Sequence, residues 1–430
     1  MKNWRKLPWI WIALGAFALW PLVPGDPNQL GGKLRDILIF AILAQGLNVV
    51  VGYSGLLQLG IAAFFGIGAY ITGILTVSQF PFQVGVWPAI VMAMIGAGIA
   101  GVVLAAPTLR LRGDYLAIVT LGFGEVVKFG IKNLENITNG SRALNPLPSP
   151  WIPQFLQPVF QWLFWTKPDR AMTPDRPWDE NYRPYYYVAL IALALVVLLL
   201  KNLENSRLGR AWMAIREDEL AATCMGTNAT GVKLSAFAMG AALAGLAGAL
   251  YAVSLDQTGG PDSYTFNRSI TILVFLIIGG MGNIEGALLG TFVLMGYDNI
   301  ATGHLDEWMQ NPLSRGRVVS FLPYLIVTAG AAIATWKFWL RRELEQRYVK
   351  GAPVLAALFA AAAVLALALS WLLPIGVLGR KLEAFRFTDV KLIIFGLALI
   401  LMMRFRPEGI LPSKRVAMEL HEERGTFRRP

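Results

Sequence analysis

Apolar runs close to twenty residues long return along almost the whole chain, and that recurrence limits the fold more than any other feature. Wound as an α-helix, such a run matches the hydrocarbon thickness of a bilayer. Lipid offers no partner for backbone polar groups, so a crossing segment must satisfy its own, and a helix does. About twelve such segments can be drawn, at 9–24, 34–51, 55–77, 84–106, 115–131, 184–200, 233–255, 269–283, 286–301, 321–338, 352–373 and 389–404. Composition agrees: 55% of the 430 residues are hydrophobic and 15% are charged, against roughly 25% charged in soluble domains. The expected fold is an all-α polytopic integral membrane protein of about 10–12 transmembrane helices, with residues 1–430 forming one transmembrane domain.

Charge and rare residues narrow the function. The net charge of +11 suits cytoplasmic loops rich in Lys and Arg beside anionic lipid. The basic residues are scattered between apolar runs and form no single stripe, so nucleic acid is not an expected partner. One cysteine and two histidines give no disulfide, no metal-ligand cluster and no thiol or His/Cys catalysis. The first apolar run has a basic start like a signal peptide, but it lacks a small-x-small cleavage site, so a retained first helix is expected.

Lys and Arg set the orientation. With the N-terminus inside, most of them fall on the cytoplasmic side once the long stretch 132–183 is set apart, as the charge rule for short loops requires. The N- and C-termini are then cytoplasmic. The Pro- and Trp-rich stretch 132–183 faces outward and is long for a plain connection. The stretch 201–232 faces inward. Small residues such as Ala97, Gly101, Ala244 and Gly248 form small-xxx-small pairs, expected to serve packing within the chain rather than a dimer seam.

Inside 201–232 lies a charged island, "RLGRAWMAIREDELAAT" (207–223). Residues 210–225 read as one helix, with Gly226 as its stop. Arg216, Glu217, Asp218 and Glu219 would then point round the whole helix, which does not suit a helix lying flat on lipid. Trp212, Ile215 and Ala222 offer an apolar footing. The island is either a solvated connector or a short helix gripped by protein.

The stretch 209–252, "GRAWMAIREDELAATCMGTNATGVKLSAFAMGAALAGLAGALYA", resembles the coupling loop and following helix of LivM-type permeases. Those are the membrane subunits of branched-chain amino-acid ABC importers. Residues 46–70, 109–140, 273–291 and "RFRPEGILPS" (404–413) resemble the same family, in the same order. The resemblance implies that the island docks into a cytoplasmic ATPase. Arg216, Glu217, Asp218, Glu219, Ala221, Ala222 and Gly226 are then the coupling residues. Ala221, Ala222 and Gly226 match the wider importer motif, while Leu220 stands where its Glu would be. The resemblance also implies a second permease subunit, two ATPase subunits, an external binding protein and a bacterial inner-membrane location.

No phosphate-binding loop occurs; Gly31-Gly32-Lys33 lacks both the spacing and the following Ser or Thr. The chain is therefore not expected to hydrolyse ATP; the resemblance implies that it is no enzyme and binds no cofactor, with ATP and Mg held by partner subunits.

Candidate residues along a substrate path are Asn48, Gln58, Thr120, Gly122, Gly124, Glu125, Gly279, Gly280 and Gly282. Glu125 lies within an apolar segment, where an ionised group costs on the order of 3 kcal/mol, and Lys128 one turn on can neutralise it. The pair is either that local neutralisation or a substrate contact. The glycines of 277–290 mark a tight interhelical turn or unwound backbone beside a cavity. Asn48 and Gln58 line a pore or bond helix to helix. Two positions depart from the resembled family, Gln58-Leu59-Gly60-Ile61 and Thr138-Asn139-Gly140, and the stretch 302–388, with two extra apolar segments, is an insertion of no assigned role. Leu, Ile or Val is the expected solute, with urea or a short amide as the alternative. A stand-alone ion-coupled transporter would need more buried ionisable groups, and a membrane enzyme would need clustered acids, bases or nucleophiles.

Overall fold

The computed structural model describes residues 27–108, 114–148, 150, 183–301, 395–400, 402, 404 and 409–411. The expected first helix, most of the outward loop and all of 302–388 lie outside these. The chain divides into two compact units, 1–292 with 408–430, and 293–407. The functional features lie in the first.

Helix α1 (Pro27–Leu47) runs into a π-helical turn, Asn48–Tyr53. It is followed by α2 (Ile61–Thr76), α3 (Val86–Thr108), α4 (Asp114–Asn133) and the single turn α5 (Glu135–Thr138). Next come α6 (Arg183–Glu204), α7 (Arg207–Glu217), α8 (Glu219–Cys224) and α9 (Ala229–Ser254). A 3-10 turn, Pro261–Tyr264, leads into α10 (Phe266–Gly279) and α11 (Ile284–Gly296). No strand occurs among the described residues, and four spans are long and apolar enough to cross a membrane: Gly31–Tyr53, Val86–Thr108, Arg183–Glu204 and Ala229–Ser254. The all-α polytopic fold expected from the apolar runs is the one found.

The bundle is built around α9 and α1. Over an 18-residue apolar stretch of Gly31–Tyr53, 89% of residues are buried, against 39% over the corresponding stretch of α3. Lipid tails are as apolar as leucine, so helices associate through close packing rather than hydrophobic drive. Small residues permit it. A Cβ on Gly248 would stand 1.9 Å from the Phe65 carbonyl oxygen of α2, and one on Gly245 would meet Ala97 of α3 at 2.4 Å. The small-xxx-small pairs thus serve contacts within this chain. The outer faces of α3 and α4 carry exposed Val91, Ile95, Ile99, Ile118, Val126 and Phe129, as a lipid-facing surface does.

Two expectations need correction. The third apolar segment, read as helix from residue 55, is not helical over Ser54–Gly60; α2 begins only at Ile61. Here Gly60 presses so close to α4 that a Cβ would lie 2.2 Å from the Thr120 carbonyl oxygen, and Leu59 N–H donates to Thr120 Oγ1 at 3.0 Å. Tertiary partners thus replace the helical ones, as non-helical backbone at depth requires. Residues 210–225, read as one helix, are two. Asp218 is extended (φ −154°, ψ 111°), and its carboxylate accepts from Leu220 N–H and Ala221 N–H at 2.8 and 3.0 Å. A side chain that caps the next helix ends the previous one.

Candidate functional site

The charged island folds as a helical hairpin rooted in the bundle. Ser206 caps α7 by accepting from Gly209 N–H, Asp218 caps α8, and Asn228 caps α9 by accepting from Gly231 N–H. Trp212, Ile215 and Ala222 are buried, the footing that the sequence offered. Trp212 Nε1–H lies 3.1 Å from the Val232 carbonyl and 2.9 Å from Ser235 Oγ, which fixes α7 to the start of α9. Lys233, 8% exposed, pairs with Glu219 at 2.6 Å and ties α8 to the same helix. The capped hairpin is held by protein from several sides.

The charges of the island divide by direction. Glu219 faces the root. Arg216 reaches inward, and its Nη1 donates to the Gly52 carbonyl oxygen in the π-helical turn. Gly52 has no space for a side chain, because a Cβ would meet Asn48 Oδ1 at 2.0 Å and Gly282 N at 2.6 Å. Asn48 Oδ1 accepts from Gly282 N–H at 2.9 Å, and Gln45 Nε2 donates to the Ile284 carbonyl at 2.9 Å. Arg216, Asn48, Gly52 and Gly282 therefore form one junction between α7, the end of α1 and the α10–α11 turn. By contrast Glu217, Asp218, Ala221 and Gly226 are exposed, with Leu220 and Met225 at 75% and 87%.

The α10–α11 connection is a tight turn. Gly280 (φ 125°) and Gly282 (φ 75°) adopt backbone angles that only glycine takes without strain. Gly279 allows α10 and α11 to touch, since a Cβ there would stand 2.1 Å from the Gly286 carbonyl oxygen. The C-terminal motif lies against this turn. Ile410 N–H and Leu411 N–H donate to the carbonyls of Ile278 and Gly279 at 2.9 and 3.0 Å, and Asn283 Nδ2 donates to the Leu411 carbonyl at 3.0 Å. These bonds occupy carbonyls that a helix end leaves open.

The path candidates fall into three groups. Gln58, Thr120 and Gly124 gather at the non-helical stretch: Thr120 receives Leu59 N–H, and Gly124 lies 3.7 Å from Gly60 Cα at its Cβ position. Gln58 is 1% exposed, and neither its amide oxygen nor its nitrogen has a hydrogen-bond partner among the described residues. Leaving a buried amide unmet costs about 1–3 kcal/mol per group. Asn48 and Gly282 belong to the Arg216 junction, while Gly279 and Gly280 shape the α10–α11 turn. Glu125 and Lys128 pair with each other at 3.6 Å on α4, both part-exposed, and Gly122 has nothing within 4 Å of its Cβ position.

Sequence reasoning passed over Arg35, Asp36 and Arg268. Arg35 Nε and Nη2 both donate to Asp36 Oδ1, at 3.1 and 3.0 Å, while Arg35 Nη1 donates to the Ser254 carbonyl at 2.7 Å. The Arg268 guanidinium lies over the Phe40 ring, 5.0 Å from its centroid. The available signal was position: two charges at the start of an apolar run and one at the edge of another.

At the opposite end of the bundle the described beginning of the 132–183 stretch is tied down. Leu144 N–H donates to Thr258 Oγ1 at 3.0 Å, and Leu147 N–H donates to the Asp256 carbonyl at 2.9 Å.

Membrane-length helices around interrupted shorter ones, with a capped polar hairpin at one end, define the class: a multi-helix membrane protein built like a permease. A family described as "Branched-chain amino acid transport system / permease component" matches residues 30–328. The chain belongs to that family. It is 38% identical over 271 residues to the high-affinity branched-chain amino acid transport system permease protein LivM of Salmonella typhimurium and of Escherichia coli K12. Each of these alignments spans 60% of this chain and 60% of the relative, so less than two thirds of the relatives' length is matched. The LivH permease protein of the same transport system in Salmonella typhimurium is 23% identical over 304 residues, 67% of this chain and 88% of that protein. No solved structure matches. The family match runs through residue 328, so it takes in the first part of 302–388.

Proposed function

We propose that this chain is the membrane permease subunit of an ATP-driven importer of Leu, Ile and Val. It works beside a second permease related to LivH, two cytoplasmic ATPase subunits that hold ATP and Mg, and an external binding protein. It sits in a bacterial inner membrane with both termini in the cytoplasm, and lipid covers its outer faces. The carrying observation is the directional split of the island. An outward tip of Leu220, Ala221, Met225 and Gly226 is available to a partner, while Arg216 grips the end of α1 from the same hairpin. A push on the tip is thereby delivered to Gly52, Asn48 and the α10–α11 turn. Those are the elements a solute must pass if access is to alternate between the two sides. Glu217 and Asp218 add an acidic rim, and Ala222 is the buried residue beneath the tip.

Cys224 is the chain's one cysteine and is exposed on α8, which makes it a native reporter. In inside-out membrane vesicles a maleimide is expected to label Cys224 in the chain alone and to be blocked once the ATPase subunits assemble. Equal labelling with and without them rejects docking at this tip. Uptake of labelled leucine against labelled urea, with and without the gene, identifies the solute; urea uptake without leucine uptake overturns the amino-acid reading.

A further inference from the structure

Two helices begin inside the bundle. α2 has 16 residues and α10 has 14; at 1.5 Å per residue they reach about 24 and 21 Å, short of the roughly 30 Å core. Their starts meet. Ala62 N–H, in the first turn of α2, donates to Ser269 Oγ in the first turn of α10 at 3.1 Å. Helix N-termini carry partial positive charge. Arg268 adds a full one beside them, and no carboxylate among the described residues lies within ion-pair distance of it. Gln58, three residues before α2, is the buried amide without a partner.

One anion answers this positive ground. Asp36 stands one helical turn before Phe40 on α1, and Arg268 lies over the Phe40 ring, against which Tyr251 also packs. Asp36 spends only Oδ1 on Arg35, and Oδ2 accepts nothing among the described residues. Arg35 and Arg268 against Asp36 leave one positive charge in surplus. The floor is aromatic: Phe40 stands 5.8 Å from Phe65 and 6.0 Å from Tyr251, centroid to centroid, and Phe65 stands 5.2 Å from Tyr251.

We infer that this cluster is a transient binding site for a zwitterionic aliphatic amino acid. The substrate carboxylate lies toward Arg268 and the two helix starts, the ammonium toward Asp36 Oδ2, and the aliphatic side chain against the Phe40–Phe65–Tyr251 floor. Charged groups within a membrane bundle are retained at the cost of their desolvation, and here their opposite signs suit the two charges of an α-amino acid. A neutral solute such as urea has no use for an opposed Arg and Asp. The inference rests on the amino-acid reading above and adds where and by which groups the solute is held on its way through.

The test is binding of labelled leucine to the full importer in nanodiscs, without its binding protein and without ATP. Leucinamide, which lacks the carboxylate, and 4-methylpentanoate, which lacks the ammonium, serve as competitors. Wild type is expected to bind leucine and to reject both analogues. Arg268→Gln is expected to weaken leucine binding about tenfold or more, and to let leucinamide compete as well as leucine does. Asp36→Asn is expected to relax the selection against 4-methylpentanoate, and Arg268→Lys to restore part of the affinity. A purely structural role would lower stability without exchanging one analogue for the other. If both variants bind leucine and reject the analogues as wild type does, the site is overturned while the importer reading stands. If wild type binds and imports urea but no leucine, both fall together.

Discussion

Arg216 carries the argument at the scale of single residues. Its guanidinium bonds the hairpin directly to the Gly52 carbonyl of the π-helical turn. Arg216→Ala is expected to insert and assemble, to keep ATP hydrolysis in the complex, and to lose about tenfold or more of leucine uptake. Parallel assays of phosphate release and uptake in proteoliposomes check it, and a proportional fall of both would refute a transmission role. Glu219 is different, because its partner Lys233 is nearly buried while Glu219 itself is about one-third exposed. Glu219→Gln leaves a cation without its counter-charge, and a loss of about 1–2 kcal/mol is expected, between the values of exposed and buried pairs. Thermal unfolding in detergent measures it. The sequence showed that both residues sit in a charged cluster. It did not show that one grips the membrane bundle and the other braces α8, since side-chain direction follows from the break at Asp218.

At the scale of elements the informative feature is interruption. α7 and α8 are separated by one extended residue, and that residue's carboxylate holds α8 by two backbone bonds. Asp218→Ala is expected to cost about 1 kcal/mol of local stability. Cys224, at the end of α8, would then react faster with maleimide, and an unchanged rate would mean that α8 is held by packing alone. Helix contacts give a sharper contrast. Gly248→Leu drives a side chain into the Phe65 carbonyl and is expected to abolish folded protein, whereas Gly122→Ala meets nothing within 4 Å and is expected to leave stability unchanged. Expression and size-exclusion profiles of the two separate packing glycines from open ones. The richness in glycine was plain in the sequence, but which glycines touch another backbone depends on partners far away in the chain.

The whole molecule brings distant segments to one place. The tail at 409–411 returns to bond residues 278–283, and Gly409 (φ 84°) lies so near Gly280 that a Cβ would stand 2.5 Å from its Cα. Gly409→Val is expected to free the tail and to lower the melting temperature, because carbonyls at the end of α10 lose their donors at about 1 kcal/mol each. Limited proteolysis reads the release directly; a tail as protected as in wild type would refute the docking. Among the described residues the order of the apolar helices and most of their limits were legible from hydropathy, the starts of α1 and α2 excepted, as were the small residues at helix seams and the stop at Gly226. These follow from local rules: lipid demands helices, helices demand apolar runs of fixed length, and caps are short-range. The late start of α2, the meeting of its first turn with that of α10, the junction of Arg216 with Gly52 and the convergence of Asp36 with Arg268 were decided only by tertiary structure. Each joins residues from separate parts of the chain, and no periodicity within one segment encodes which partner will satisfy its open backbone or its charge.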